Sequence, residues 1–282
     1  IAKTKKPQSF ELVNTSAEIT TSLVFEESLT RNVIGLVQGS DPTLSTEYVV
    51  VGAHYDHLGM GDENSLASSP QPSIHYGADD NASGTAGLIE LAYRIAKDPP
   101  KRSVLFMAFS GEEKGLLGSK HWVSNPTIAL ERVVAMINLD MIGRLKDGKL
   151  NVQGVGTSPE WPAVVDSAKK DLPLTVTTTA DGFGPSDHSS FTGKGIPVLF
   201  YFTGLHSDYH RPSDTWDKTN PDGEATVLTM VERSLRMISN APVRPAFTKG
   251  AEKPAPNQSS SIALKVTFGV VPDYADDPQG LR

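Results

Sequence analysis

Short runs that are apolar almost throughout alternate with stretches of helical period. The runs at 48–53, 104–109, 133–142 and 197–202 lack the in-and-out alternation of a half-exposed strand, and so predict strands buried on both faces. Residues 32–37, 150–155 and 175–179 read as further strands. Between them, Leu88, Leu91, Ala92 and Ile95 fall on one face of a predicted helix over 84–97, and Asp98-Pro99-Pro100 ends it. Shorter helices are predicted over 116–123 and 160–170. A last long helix opens at Asn220-Pro221, a capping residue followed by proline, and turns Leu228, Val231, Leu235 and Ile238 inward. Strands alternating with helices predict an α/β fold with a mostly parallel sheet between helical layers. Ligands of such sheets gather at the carboxyl ends of the strands.

The remaining segments set the domain expectations. Residues 1–31 read as an N-terminal extension, polar and basic at first and weakly strand-like at 22–25, ahead of a domain over 32–240. Residues 241–261 are a linker by composition, rich in Pro and Ser. The tail over 262–282 begins with a strand pattern but is too short to fold alone, and reads as the start of another module or as a docking strand. The first residue is Ile, not Met, which suggests a processed or trimmed chain and leaves export open.

Composition narrows the classes. With 38% hydrophobic residues, 24 Gly and 20 Pro in 282 residues, the chain is globular with many tight turns. Its 33 acids against 26 Lys and Arg give a net charge of −7, which argues against a generic nucleic-acid binder. The longest apolar run, 196–202, is far short of the ~18 residues a membrane span needs. Cysteine is absent, so there is no disulfide or zinc–thiolate site, and any metal must be held by His and carboxylates.

Those residue types stand where ligands gather. Residues 48–53 lead into His54-Tyr55-Asp56-His57, 104–109 into Ser110-Gly111-Glu112-Glu113, and 133–139 into Asp140. Residues 197–202 lead to His206 and Tyr209-His210, and Gly77-Ala78-Asp79-Asp80-Asn81-Ala82-Ser83-Gly84 enters the first helix. Carboxylates converging in a low-dielectric crevice repel one another and take up protons unless a cation holds them. Divalent cations remove that penalty, and His plus carboxylate is a set that zinc accepts.

With these motifs, residues 32–240 resemble the zinc-dependent aminopeptidases of metallopeptidase family 28. The similarity rests on Gly52-Ala53-His54-Tyr55-Asp56, the 77–84 loop, Ser110-Gly111-Glu112-Glu113, Asn138-Leu139-Asp140 and Tyr209-His210-Arg211-Pro212-Ser213-Asp214. It is strongest toward bacterial exported forms that carry a protease-associated domain and a trailing PDZ domain, of which 262–282 resembles the truncated start. The resemblance implies the zinc exopeptidase fold, a three-layer α/β/α sandwich with a central mixed, mostly parallel sheet. It implies two Zn2+ per chain, one bound by His54 and Asp140 and the other by Glu113 and His210, with Asp80 bridging. It implies a metal-bridging hydroxide with Glu112 as general base, Asp56 fixing the outer nitrogen of His54, and Tyr209 donating to the oxyanion. The division agrees with two-metal hydrolysis, in which a base must lie beside the metals but not on them.

Asp187 and His188, which precede a buried strand, and His206 are expected at the substrate pocket, where Trp161, Phe183 and Trp216 are further candidates. His57 lies close to the site without a match as a ligand, and His75 and His121 read as surface or packing residues. The resulting expectation is a co-catalytic di-zinc aminopeptidase acting on peptide substrates, extracytoplasmic by resemblance, with a possible protein partner through the missing PDZ-like module. The alternatives are a carboxypeptidase, dipeptidase or glutaminyl cyclase on the same scaffold, or an inactive receptor-like binding module. The first two need a cationic clamp, for which Arg144 and Arg211 are the arginines near the motifs.

Overall fold

The computed structural model describes residue 16 and residues 29–249 except 62 and 70. The strand pattern at 22–25, most of the linker and the PDZ-like start over 262–282 lie outside the described residues.

The strands are β1 (Val33–Val37), β2 (Tyr48–His54), β3 (Ser103–Phe109), β4 (Val133–Leu139), β5 (Lys149–Gln153), β6 (Thr175–Thr179) and β7 (Val198–Phe202). The helices are α1 (Gly84–Lys97), α2 (Leu117–Ser124), α3 (Trp161–Ala168), α4 (His188–Thr192) and α5 (Pro221–Asn240). One sheet joins all seven strands in the order β1-β3-β2-β4-β7-β5-β6. Strands β3, β2, β4 and β7 run parallel; β1 is antiparallel to β3, and β5 to β7.

The unbroken apolar runs become the central strands because both their faces are covered. Val49, Val51 and Ala53 face a core with Leu88, Leu91 and Ile95 of α1, Trp161 and Val165 of α3, and Val231 and Leu235 of α5. Val50, Leu105, Met107 and Phe109 face the other side, against Trp122 of α2 and Phe191 of α4. Successive strand residues point to opposite faces, so a fully apolar run requires two helical layers. The three-layer sandwich with a mixed, mostly parallel sheet is therefore what the chain forms.

Two features differ from the pattern reading. Strand β4 ends at Leu139, three residues before its apolar run does, because the chain turns at Asp140 and Met141 takes a positive φ of 53°. The helix α4 is five residues long, too short to show a period. Among the described residues no helix is long and apolar enough to cross a membrane.

Candidate active site

Four parallel neighbours end at the same edge of the sheet, and each presents its first polar residues there. His54 is the last residue of β2, Glu112 and Glu113 follow β3, Asp140 follows β4, and His210 lies on the long loop after β7. Asp80 arrives on the 77–84 turn ahead of α1. Gly77 starts that turn with φ 58°, and a Cβ there would lie 2.4 Å from the Asp80 carbonyl oxygen, so glycine is required.

Asp80 stands at the centre of the group. Its Oδ1 is 3.3 Å from His54 Nε2, and its Oδ2 is 3.3 Å from His210 Nε2. On the first side, Asp140 Oδ1 lies 3.5 Å from His54 Nε2; on the second, Glu113 Oε2 lies 3.1 Å from His210 Nε2. Glu112 Oε2 is 4.0 Å from His54 Nε2. The side chains of His54 and Asp80 are 1% and 4% exposed, so these charges meet almost without water.

The outer atoms of these residues are held in place. His54 Nδ1 is 3.1 Å from the carbonyl oxygen of Asp56, which keeps the proton there and frees Nε2 to face the acids. The Asp56 carboxylate lies farther off, 3.9 Å from that nitrogen, and instead faces the amide of Glu112 at 3.4 Å. The outer nitrogen of His54 is thus fixed by the main chain of Asp56, a geometry set by the two-residue return after β2. Ser186 donates to Asp140 Oδ2 at 2.7 Å, and Asn138 donates in turn to Ser186. His57 Nδ1 contacts Glu113 Oε1 at 2.7 Å.

His210 adopts a left-handed conformation, φ 54°, uncommon for a side-chain-bearing residue. Two contacts to one loop hold it there: Nδ1 to the Asn64 carbonyl at 2.9 Å, and its own carbonyl accepting from the Leu66 amide at 2.9 Å.

A second tier ties the Asp80 turn to the His210 loop. Asp214 Oδ2 accepts from the amides of Asp79 and Asp80 at 2.9 and 3.1 Å. Arg144 binds Asp214 Oδ1 and Asp208 Oδ2 at 2.5 and 2.8 Å. Asp79 is wholly buried, accepts from the Gly143 amide, and faces His206 Nε2 at 3.2 Å.

Crowding displaces the protonation equilibria. Burial raises Glu112 well above the carboxylate range, and Asp140, Asp187 and Glu113 add to this against His54. Burial also raises Asp140, against the pull of His54. Burial would lower His54 and His210, but the facing carboxylates outweigh it, raising His54 well above its usual value and His210 to about 10. Protons thus collect where positive charge is needed. The donor set fits metal ions. His210 Nε2 is buried and close to two carboxylates, yet makes no hydrogen bond. Three His–carboxylate groups among the described residues also bring ligand atoms within 4.8 Å of one another: the wholly buried His54–Asp80–Asp140, and the partly buried His57–Asp80–Glu113 and His54–Glu112–Glu113. Nitrogen and carboxylate donors of this kind suit zinc.

The expected pocket residues lie behind the wall. Asp187 and His188 are both wholly buried; burial pushes Asp187 up to about 7 and His188 down to about 3. His188 stacks on Phe200 with ring centroids 4.5 Å apart. His206 faces Asp79. None of the three borders the two cavities at the site. Their chain neighbours do: a cavity of about 590 Å³ beside Glu112, Glu113 and His210 is walled by Phe183, Pro185 and Ser189 among others. A smaller one of about 170 Å³ lies against Asp80, Asp140 and Tyr209. Trp161 is core, and Trp216 is exposed. Tyr209 stacks on His210, with ring centroids 3.8 Å apart. Sequence reasoning passed over His57 and Ser186 as holders of ligands. Neither carries a spacing signal, since the groups they hold are 56 and 46 residues away.

Comparisons with known proteins find aminopeptidases among the similar chains. A probable leucine aminopeptidase of Arthroderma otae is 33% identical over 194 residues, 64% of this chain and 51% of that protein. The aminopeptidase from Aneurinibacillus sp. strain AM-1 superimposes with TM-score 0.60 at 26% identity, over 79% of this chain and 50% of its own. The zinc aminopeptidase of Bacillus subtilis gives TM-score 0.60 at 26% identity, over 78% of this chain and 53% of its own. The chain spans about half the length of these relatives. The model of Peptidase family M28 matches residues 32–234, most of the sequence, and the chain belongs to that family.

Proposed function

We propose that the chain is a co-catalytic di-zinc aminopeptidase that hydrolyses the first peptide bond of peptides with a free amino terminus. The observation that carries this reading is the Asp80 carboxylate, with one oxygen turned to His54 and the other to His210. His54, Asp140 and Asp80 would hold one ion, and Asp80, Glu113 and His210 the other. When bound, such a pair polarises a peptide carbonyl and brings the pKa of water near neutrality.

The remaining residues divide the work. Glu112 sits beside the ligands, largely buried and raised by that burial, which suits it to take a proton from the attacking water and pass it to the leaving amine. Tyr209 borders the inner cavity, and burial with the surrounding acids keeps its phenol protonated, so it can donate to the oxyanion of the tetrahedral intermediate. Asp56 contributes through its carbonyl to His54 and through its carboxylate to the Glu112 amide. His57 orients Glu113 by its outer oxygen. Carboxylates near the inner cavity, Glu112 and Asp140 among them, suit a substrate ammonium group. Arg144 does not serve a carboxypeptidase clamp, because Asp208 and Asp214 occupy its guanidinium.

The test is hydrolysis of a peptide pair by zinc-loaded protein, one member with a free amino terminus and one acetylated. Release of the first residue from the free peptide alone is expected. Equal cleavage of both, or cleavage from the carboxyl end, would overturn the reading.

A further inference from the structure

The wall of the larger cavity carries a feature that the proposed chemistry leaves unused. Along the cavity of about 590 Å³, Glu112, Glu113 and His210 stand on the reaction side, while Leu116, Lys120 and Ser190 belong to α2, its N-terminal boundary and α4. Lys120 is half-buried and is the only lysine or arginine on that wall among the described residues. Among the described residues no hydrogen bond or ion pair engages its ammonium group, whereas Lys114, six residues earlier, pairs with Glu63. The nearby Ser119 and Ser190 hydroxyls bond to each other at 2.9 Å.

An unpaired ammonium on a concave wall is a ready partner for an anion bound in the cavity. Glu112 and Glu113 border the same cavity and attract a cation. The lining is thus complementary to a substrate that carries both an ammonium group and a carboxylate. We propose that Lys120 forms a subsite for a substrate carboxylate in this cavity. The proposal rests on the aminopeptidase reading and deepens it to a substrate class: short peptides bearing a carboxylate close to the free amino terminus. That carboxylate has two possible sources, an acidic first side chain or the carboxyl terminus of a dipeptide.

Four substrates separate the sources with zinc-loaded protein. Glu-Ala-amide against Gln-Ala-amide varies only the side-chain carboxylate, and Ala-Ala against Ala-Ala-amide varies only the terminal one. In at least one pair the carboxylate form should show about tenfold higher kcat/KM, the scale of one charge-assisted contact, carried mainly by KM. The ratio should shrink at high ionic strength, because the contact is partly exposed to salt. Lys120→Met should bring the ratio close to one, Lys120→Arg should retain it, and Lys120→Glu should invert it. Zinc content and Tm equal to wild type would show that these variants fold. Ratios near one in both wild-type pairs, or a preference that survives in Lys120→Met, would overturn the subsite. Cleavage of all four substrates without preference strikes the subsite alone, whereas failure to release the first residue from any of them strikes the aminopeptidase reading as well.

Discussion

Glu112 and Glu113 are adjacent in sequence yet face different partners, and in the proposed reaction this divergence separates a base from a ligand. Glu113 meets His210 with one oxygen and His57 with the other, whereas Glu112 lies 4.0 Å from His54 with no such pair of holders. Glu112→Gln is therefore expected to bind zinc as wild type does, by metal analysis, while kcat falls about 10²–10⁴-fold, the usual worth of a positioned proton carrier. Asp80→Ala is expected to lose metal as well as activity, because both proposed metal positions share that carboxylate; retention of two zincs would contradict the bridge. His57→Ala should weaken the Glu113–His210 position selectively, read as release of one of two zincs at a lower chelator concentration than in wild type. His54, Glu112, Glu113 and Asp140 were legible in the sequence because each stands at or just past the end of an apolar run, whereas Asp80, on a turn, and His210, on a loop, stood out only through their motifs. The residues that hold them were not. Asp214 caps the amides of Asp79 and Asp80 from 135 and 134 residues away, and no local pattern encodes such a partner.

Among the elements, the central strands were legible because burial on both faces leaves an unbroken apolar run, and α1 and α5 because one buried face repeats every turn. The short α4 had no period to read, and Arg102 was invisible to patterning. Its side chain is 1% exposed, pairs with Glu47 at 2.7 Å, and donates to the Ile238 and Ala241 carbonyls at the end of α5. A cation there meets the negative end of the helix and satisfies carbonyls that lack helical partners. Arg102→Met keeps the volume but strips these contacts, and should destabilise the fold by about 2–4 kcal/mol in urea unfolding. At the other end of α5, burial first and Asp79 second push Glu224 up to about 7 from the usual 4.5. A carboxyl raised by folding binds more protons folded than unfolded between those values, so its contribution is most favourable at lower pH and is lost as pH rises through about 7. Glu224→Gln should therefore gain Tm relative to wild type at pH 8 and show little difference at pH 4.5. A constant offset across that range would contradict the assignment.

Across the whole molecule, topology brings the chemistry together. Four parallel strands end at one edge, and the end of β2 with the turns and loops beyond the other strands delivers His54, Glu112, Glu113, Asp140 and His210 to one place, with Asp80 entering from the turn ahead of α1. The architecture could be inferred from alternating strands and helices, but the reversed β5 and β1 follow from how the chain crosses the sheet, which periodicity does not encode. Because the converging carboxylates are buried, the proposed metals should stabilise the fold as well as serve the reaction. Exhaustive chelation is expected to abolish hydrolysis and lower Tm, and zinc should restore both. The most direct test of the central claim is anomalous diffraction at the zinc edge from crystals grown with zinc. The account predicts two peaks flanking Asp80, one against His54 and Asp140 and the other against Glu113 and His210. A single peak, or zinc bound elsewhere with this cluster empty, would contradict it.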